Sequence, residues 1–421
     1  MNISPSRNKN ELNIITNHSM ENFDYQTPTR LIFGKGVVNE KLASVINRYG
    51  KRVLVTYGGG SIKRTVAGHA KSLYDEVMTL LAGKEVFELP GIQPNPKFNP
   101  SVLEGVRLCQ EHHIDVILAV GGGSVLDCTK AIAGVSGTLN GDVYSHVEEA
   151  WDIVRGIKPT TAAVPIVDII TMAATGSEYD MGGVISRTET NDKLAYFSPL
   201  VFPAVSFIDP TYTFSVPVKH TLAGVADCIN HIMESYFCGE HIDINDAFME
   251  GAVRSLVKNV AKVLENPEDY DARAEIFYAT TLGCNGIYCL GNSPSGWPMH
   301  AMEHALSAYY DITHGEGLAI ITPRWMRHIL THSAGQLHNQ VVERIEKFGK
   351  NVFGVEGCEA SINAIHDFYR GLGIPMTLKE VGIDDSRLGE MAKHVAELEG
   401  LDKAWAPLHE HDILDIFKAC L

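Results

Sequence analysis

Three histidines, His300, His304 and His314, stand within the stretch MHAMEHALSAYYDITHGEG (Met299 to Gly317). Imidazole is the commonest protein ligand for transition metals and carries protons near neutral pH. His300 and His304 have the i, i+4 spacing of one helix face, and His314 follows a break expected near Asp311 to Thr313. Upstream, ADCINHIMESY sets Asp227 and His231 at the same i, i+4 spacing. A carboxylate joined by imidazoles suits a divalent transition metal. Any one of the 18 histidines, taken singly, reads better as an ordinary polar or capping residue. An Asp/His pair and a three-histidine cluster in one half of the chain read better as a metal site. Spacing does not choose among His300, His304 and His314.

A second kind of chemistry is written in glycine. TYGGGSIKRT and AVGGGSVLDCTK each place GGGS, at Gly58 to Ser61 and Gly121 to Ser124, after a β-branched run. Glycine lets the backbone approach a ligand closely, and a helix that follows offers unpaired N–H groups to an anion. One such loop is only a tight turn, since three glycines are not a G-x-G-x-x-G fingerprint. Two of them point to the phosphates of a dinucleotide. The first loop carries no acid for a ribose 2′-hydroxyl, and Lys63 and Arg64 follow it. That favours the 2′-phosphate of NADP over NAD.

The elements that must hold these groups fall into two halves. From Tyr25 to about Pro210 short apolar runs alternate with helical patterns: RVLVTY (52–57), VILAV (116–120), TAAVPIV (161–167) and AVSFID (204–209). Strand, glycine loop and helix in repetition predict a parallel sheet covered by helices. After about Thr211 long 3.6-period segments take over, such as VKHTLAGVADCINHIMESYF and DARAEIFYATTLGCNGIYCL. The boundary is expected near DPTYTFSVP (Asp209 to Pro217). We therefore expect an extension over 1–22 (Met20 being an alternative start), an α/β Rossmann-like dinucleotide-binding unit over 23–210, and an all-α metal-binding unit over 211–421.

The totals restrict the partners. A formal net charge of -16 repels nucleic acid, so any phosphate must be held by local amides and a few placed cations. No run of eighteen apolar residues occurs, and the polar start lacks a secretory apolar segment. The eight dispersed cysteines form no C-x-x-C pair and read as reduced thiols, so a cytoplasmic location is expected.

Taken together these blocks resemble the iron-containing (group III) alcohol dehydrogenases, nearest the branch of NADP-dependent butanol dehydrogenases and aldehyde reductases. The resemblance runs from TPTRLIFGKG (27–36) through TYGGGSIK, GIQPNP (91–96), AVGGGSVLDCTK, ATGSE (174–178), NDKLAYFSP (191–199) and GVADCINHIMESY to the final helix. It implies a Rossmann-like unit followed by a helical unit, with the site between them. It implies that Asp227, His231, His300 and His314 bind the metal, Fe²⁺ or Zn²⁺, and that His304 lies near nicotinamide and substrate.

The same resemblance places Gly58, Gly59 and Ser61 near the adenosine ribose and makes Asn95 a cofactor contact. It puts Gly122, Gly123 and Ser124 on the pyrophosphate, and Asp127 towards the nicotinamide ribose and the substrate. Thr171, Thr175 and Ser177 match further phosphate or ribose contacts, and Lys193 matches a lysine that reaches the cofactor. Where much of the family reads PAGTGSE this chain reads MAATGSE, a form the nearest branch shares. Tyr179, Trp297 and Tyr309 are candidate walls of the substrate cleft.

The activity so implied is hydride transfer between NADP(H) and a primary alcohol or aldehyde such as butanol or butanal, in a homodimer. His304 and Asp127 are the candidate catalytic side chains. An NAD-preferring alcohol, propanediol or lactaldehyde dehydrogenase is the alternative. A lyase resembling dehydroquinate synthase would need clustered Lys and Arg in the helical half, which is not seen. A non-catalytic nucleotide binder would not need the four metal-type side chains.

Overall fold

The computed structural model describes residues 20–239, 241–292 and 295–421. Most of the expected extension over 1–22 lies outside the described residues. Eight strands fall between Arg30 and Ile208: β1 Arg30–Phe33, β2 Arg52–Tyr57, β3 Glu85–Leu89, β4 Val116–Gly121, β5 Ile166–Ile170, β6 Gly182–Arg187, β7 Asp192–Phe197 and β8 Val205–Ile208. Six of them form one parallel sheet in the order β1-β8-β5-β4-β2-β3. The central strands are buried on both faces, which is why they read as mainly apolar runs, with Thr56, Asp168 and Ser206 as buried polar exceptions. Leu54, Ile117, Ala119, Ile166 and Ile170 pack on one side. Val53, Val55, Leu118, Val120, Val167 and Ile169 pack on the other.

The strand order explains where a ligand can sit. From β2 the chain moves outward to β3 and then returns to β4 on the other side of β2. Such a reversal opens a crevice at the carboxyl ends of the two strands. Tyr57 is in register with Val120, and Gly121 with Ile170. Three loops therefore leave the sheet side by side: the one after Tyr57, the one after Gly121, and Thr171 to Ser177 after β5.

From Val218 onward the described residues form helices and short helical turns, with no strand among them. Their core is separate, running from Leu222 to Cys420 around Trp325, Phe237 and Phe348. No helix among the described residues is long and apolar enough to cross a membrane.

Several sequence expectations need correction. β5 begins at Ile166 rather than Thr161, because Pro165 has no N–H to give to the ladder. Its run, IVDII, also contains a buried Asp168, which no apolar pattern anticipates. The outer strands β1 and β3 were not expected; EVFEL carries two glutamates and only its last residue is buried. The antiparallel hairpin of β6 and β7 was missed as well. The first glycine loop leads into a single 3-10 turn, Ser61–Lys63, so no α-helix N-terminus faces a ligand there. The segment 271–290 is α-helical only to Gly283, after which Gly286 turns at φ 85° into a single 3-10 turn, Ile287–Cys289.

Candidate metal and dinucleotide site

The helix Val218–Phe237 presents Asp227 and His231, one turn apart, on a face buried against the helix Pro298–Tyr310. That second helix starts with a proline at its first turn and supplies His300. It ends at Asp311, whose φ of 52° breaks the helical path. His314 opens the next helix, His314–His332. Gly315 permits the close packing, since a Cβ there would lie 2.0 Å from the carbonyl of Ala223.

Three of these side chains converge on one oxygen of the fourth. Asp227 Oδ1 lies 3.4 Å from His231 Nε2, 3.7 Å from His300 Nε2 and 3.5 Å from His314 Nε2. Ligand atoms of Asp227, His300 and His314 all fall within 4.8 Å of one another. Asp227 Oδ1 and His300 Nε2 are buried and have no hydrogen-bond partner. Buried polar atoms without partners are uncommon, and a cation among them would satisfy both. The residues present fit a divalent metal.

Two further carboxylates hold the imidazoles. Glu234 Oε1 accepts from the backbone N–H of His300 at 2.9 Å and lies 3.2 Å from its Nδ1. Glu303, fully buried, sits against His314 Nδ1 and accepts from Ser307 Oγ and from Lys193 Nζ at 3.1 Å. The Nδ1 atoms of His300 and His314 are thus engaged, that of His231 has no partner, and all three Nε2 atoms are turned towards Asp227. Carboxylate partners of this kind fix the tautomer of ligating histidines. Sequence reasoning missed both glutamates. Their signal was present: each stands three residues after a histidine on an otherwise apolar helix face.

The charges follow from burial and neighbours. Burial acts to raise Asp227, but the imidazoles outweigh it and hold the carboxyl below its usual range. Burial pushes His231 down to about 3. For His300 burial is overcome by Asp227 and Glu234, which push it up to about 9, so a proton and a cation compete for that ring. His304 is pushed down to about 4, mainly by burial, and stays neutral. Its ring centre lies 6.3 Å from that of His300 and 5.8 Å from that of His314, with Glu399 3.9 Å from its Nδ1. Glu303, His304 and His314 also come within ligand reach of one another, but that set takes His314 from the side already held by Glu303.

The glycine loops lie against this cluster. The third loop packs on the helix Val218–Phe237, where a Cβ at Gly224 would meet the carbonyl of Ala173 at 2.2 Å. Gly176, at φ 75°, rests against the carbonyl of Thr280. Gly122 and Gly123 begin the helix Gly123–Thr138, and a Cβ at Gly123 would meet Thr175 Oγ1 at 2.6 Å. Ser124 is half-buried one residue further on. The backbone N–H of Thr171 donates to Gly121, and that of Ser177 to Thr175 Oγ1. Asp127 belongs to this helix and is buried, accepting from Ser177 Oγ at 2.7 Å and from the Val184 N–H at 3.0 Å; burial pushes it up to about 6.

Of the remaining expected residues, Gly58, Gly59, Ser61 and Asn95 lie away from the cluster and Lys193 lies within it. Gly58 abuts Ile92, Gly59 has open space where a Cβ would stand, and Ser61 is exposed. Asn95 reaches across to the helical half, its Nδ2 donating to Asp311 Oδ1 at 3.0 Å. Lys193 leaves β7 with its ammonium on Glu303, 3.4 Å from His314 Nδ1. Of the suggested cleft walls, Trp297 adjoins the cluster, 5.0 Å from the His300 ring and 5.7 Å from that of His231. Tyr309 instead packs on His394 and Arg387.

A crevice of three glycine-bearing loops beside this cluster suits a dinucleotide next to a metal, and comparison with known proteins gives the family. The family model for iron-containing alcohol dehydrogenase matches residues 28–210, and the model for the C-terminal part of the Fe-containing alcohol dehydrogenase family matches 221–421. NADH-dependent butanol dehydrogenase A of Clostridium acetobutylicum is 41% identical over 95% of this chain and 99% of its own length. NADPH-dependent aldehyde reductase YqhD of Escherichia coli is 36% identical over 90% of this chain and 94% of its own. The crystal structure of NADH-dependent butanol dehydrogenase A from Thermotoga maritima superposes with a TM-score of 0.86 at 33% identity, covering 96% of this chain and 99% of that one. The chain belongs to the iron-containing alcohol dehydrogenase family. It is an oxidoreductase acting on alcohols and aldehydes with NAD(P).

Proposed function

We propose that this enzyme reduces short aldehydes to primary alcohols, and reverses that reaction, with NADPH as the preferred hydride donor. Asp227, His231, His300 and His314 would hold one divalent cation, Fe²⁺ or Zn²⁺. The observation that carries the reading is the approach of three imidazole nitrogens to one buried, unpartnered carboxylate oxygen beside the glycine loops. When bound, the cation supplies Lewis acidity that polarises a carbonyl oxygen.

The chain's own residues do the rest. Asp227 balances part of the cation's charge, while neutral imidazoles leave it electrophilic. Glu234 and Glu303 keep His300 and His314 in the tautomer that frees Nε2. Gly122, Gly123, Ser124, Thr171, Thr175 and Ser177 would cradle the pyrophosphate and ribose, with Asp127 fixing the third loop through Ser177. Neutral His304 lines the cleft near the reacting carbon and would stand in the path of the proton that completes the alcohol. Trp297, beside the rings of His231 and His300, would limit the bulk of the substrate.

NADP is favoured by the rim of the first loop. Gly59 leaves room and places no carboxylate near a 2′-phosphate. Lys63 is held over the rings of Tyr57 and Tyr74, 5.0 and 4.5 Å from their centres, which keeps a cation beside that loop. Gly58, Ser61 and Asn95 would complete the adenosine side. An NADH-preferring enzyme is the second reading, favoured by the names of the butanol dehydrogenase relatives. The division into units at 23–210 and 211–421, a homodimer and a cytoplasmic location belong to the same proposal.

The test is turnover of butanal and shorter aldehydes with each nicotinamide, with metal analysis of the same sample. A lower KM for NADPH is expected, and Gly59→Asp should raise that KM about tenfold or more while sparing NADH, the loss of about 1.4 kcal/mol. A wild-type preference for NADH would overturn the cofactor assignment.

A further inference from the structure

Asp168 interrupts the apolar run of β5 and stands directly opposite Ser206 on β8. Both side chains are fully buried. Ser206 Oγ lies 2.6 Å from Asp168 Oδ2 and 2.6 Å from the backbone carbonyl of Glu178. A carbonyl only accepts, and a hydroxyl carries one proton. Two oxygen–oxygen contacts as short as these each need a hydrogen between them. Ser206 has one to give. The other must sit on Asp168.

We propose that Asp168 is held as a neutral carboxylic acid and acts, through Ser206, as a positioning residue for the loop that carries Thr175 and Ser177. With the proton on Oδ2, the acid donates to Ser206 Oγ, and Ser206 donates to the Glu178 carbonyl. Every short contact then holds one hydrogen. Ionised, Asp168 would leave one contact without a proton and would keep Oδ1, which has no partner, as a buried anionic oxygen.

Among the described residues no cation is paired with Asp168. Lys130 is the ammonium nearest in effect, and its Nζ is taken by Asp180 Oδ1 and the Gly182 carbonyl, both at 2.6 Å. The side chains of Glu178, Asp127 and Asp180 share this nest with that single lysine. Burial first, and Glu178 after it, push Asp168 well above the usual carboxylate range, against Lys130 and the Ser206 hydrogen bond.

The inference deepens the proposed cofactor reading and rests on it for the loop's role. Glu178 follows Ser177 directly, so fixing its carbonyl fixes the end of the turn that begins at Thr175. A further negative charge beneath that turn would also repel the phosphates it meets. A neutral acid supplies the hydrogen bond without the charge.

The test joins a direct readout to a kinetic one. In protein labelled with ¹³C at aspartate side-chain carboxyls, the signal lost in D168N is assigned to Asp168. It is expected at the position of a protonated acid and stationary across neutral pH. A carboxylate position overturns the proposal. In kinetics D168N, whose amide can donate to Ser206 as the acid does, is expected to match the wild-type KM for NADPH within about twofold, whereas D168A raises it about fivefold with kcat unchanged, the loss of one net hydrogen bond. A merely structural defect would lower kcat through the active fraction and leave KM alone. Equal rises in KM for the two variants overturn the proposal. Should D168A fail to fold, the carbon signal and D168N still decide it. Absence of turnover by the wild type with either nicotinamide would remove the cofactor reading, while the carbon signal would still report the proton.

Discussion

His300→Ala is expected to lose bound metal and turnover together, with kcat/KM falling about a thousandfold or more. The size follows from what a Lewis acid contributes to a developing alkoxide, several kcal/mol, at about 1.4 kcal/mol for each factor of ten. His300 is the member of the cluster most fully committed to it. Its Nδ1 and backbone N–H are held by Glu234, and its Nε2 has no other partner. Alanine removes the proposed ligand and leaves Glu234 buried without its imidazole. His304→Ala serves as the control: its ring is set apart by Glu399 and is expected to be dispensable for metal content while lowering turnover. If His300→Ala keeps both metal and activity, the ligand assignment fails.

Glu303→Gln is expected to weaken metal binding about 10- to 100-fold, the usual effect of removing a carboxylate that orients a ligating histidine. It should also destabilise the fold by about 3–5 kcal/mol, because one partner of a buried ion pair is removed. The Lys193 and Glu303 side chains are 4% and 0% exposed, so solvent cannot take over the lysine's charge. The pair also ties β7 in the strand-bearing half to the helix that carries His300. Chelator competition gives the first quantity and urea unfolding of the metal-free protein gives the second. An unchanged metal affinity would show that His314 does not depend on Glu303 for its orientation.

What the sequence made legible follows from how each feature is encoded. The central strands β2, β4 and β8 were readable because burial on both faces demands mainly apolar, β-rich runs, which a single small hydroxyl such as Thr56 or Ser206 does not disguise. The outer strands β1 and β3 were not, since an edge tolerates arginine and glutamate. β5 was displaced because Pro165 and Asp168 mask its start and its middle. Asp227, His231 and the three later histidines were visible from helical spacing. Spacing could not say which of the three turn inward, and the positive φ at Asp311 that redirects the chain into His314 has no pattern of its own. The hairpin that delivers Lys193 into the site was invisible, and so was the pairing of Glu234 with His300 and Glu303 with His314. Those pairings cross between helices, and no periodicity within one segment records them.

The most direct measurement is anomalous diffraction at the metal's absorption edge, on crystals loaded with Fe²⁺ under nitrogen and soaked with NADPH. A single peak is expected between Asp227 Oδ1 and the Nε2 atoms of His231, His300 and His314, with the nicotinamide ring lying over it. A peak instead among Glu303, His304 and the far side of His314, or none after loading, would contradict the account.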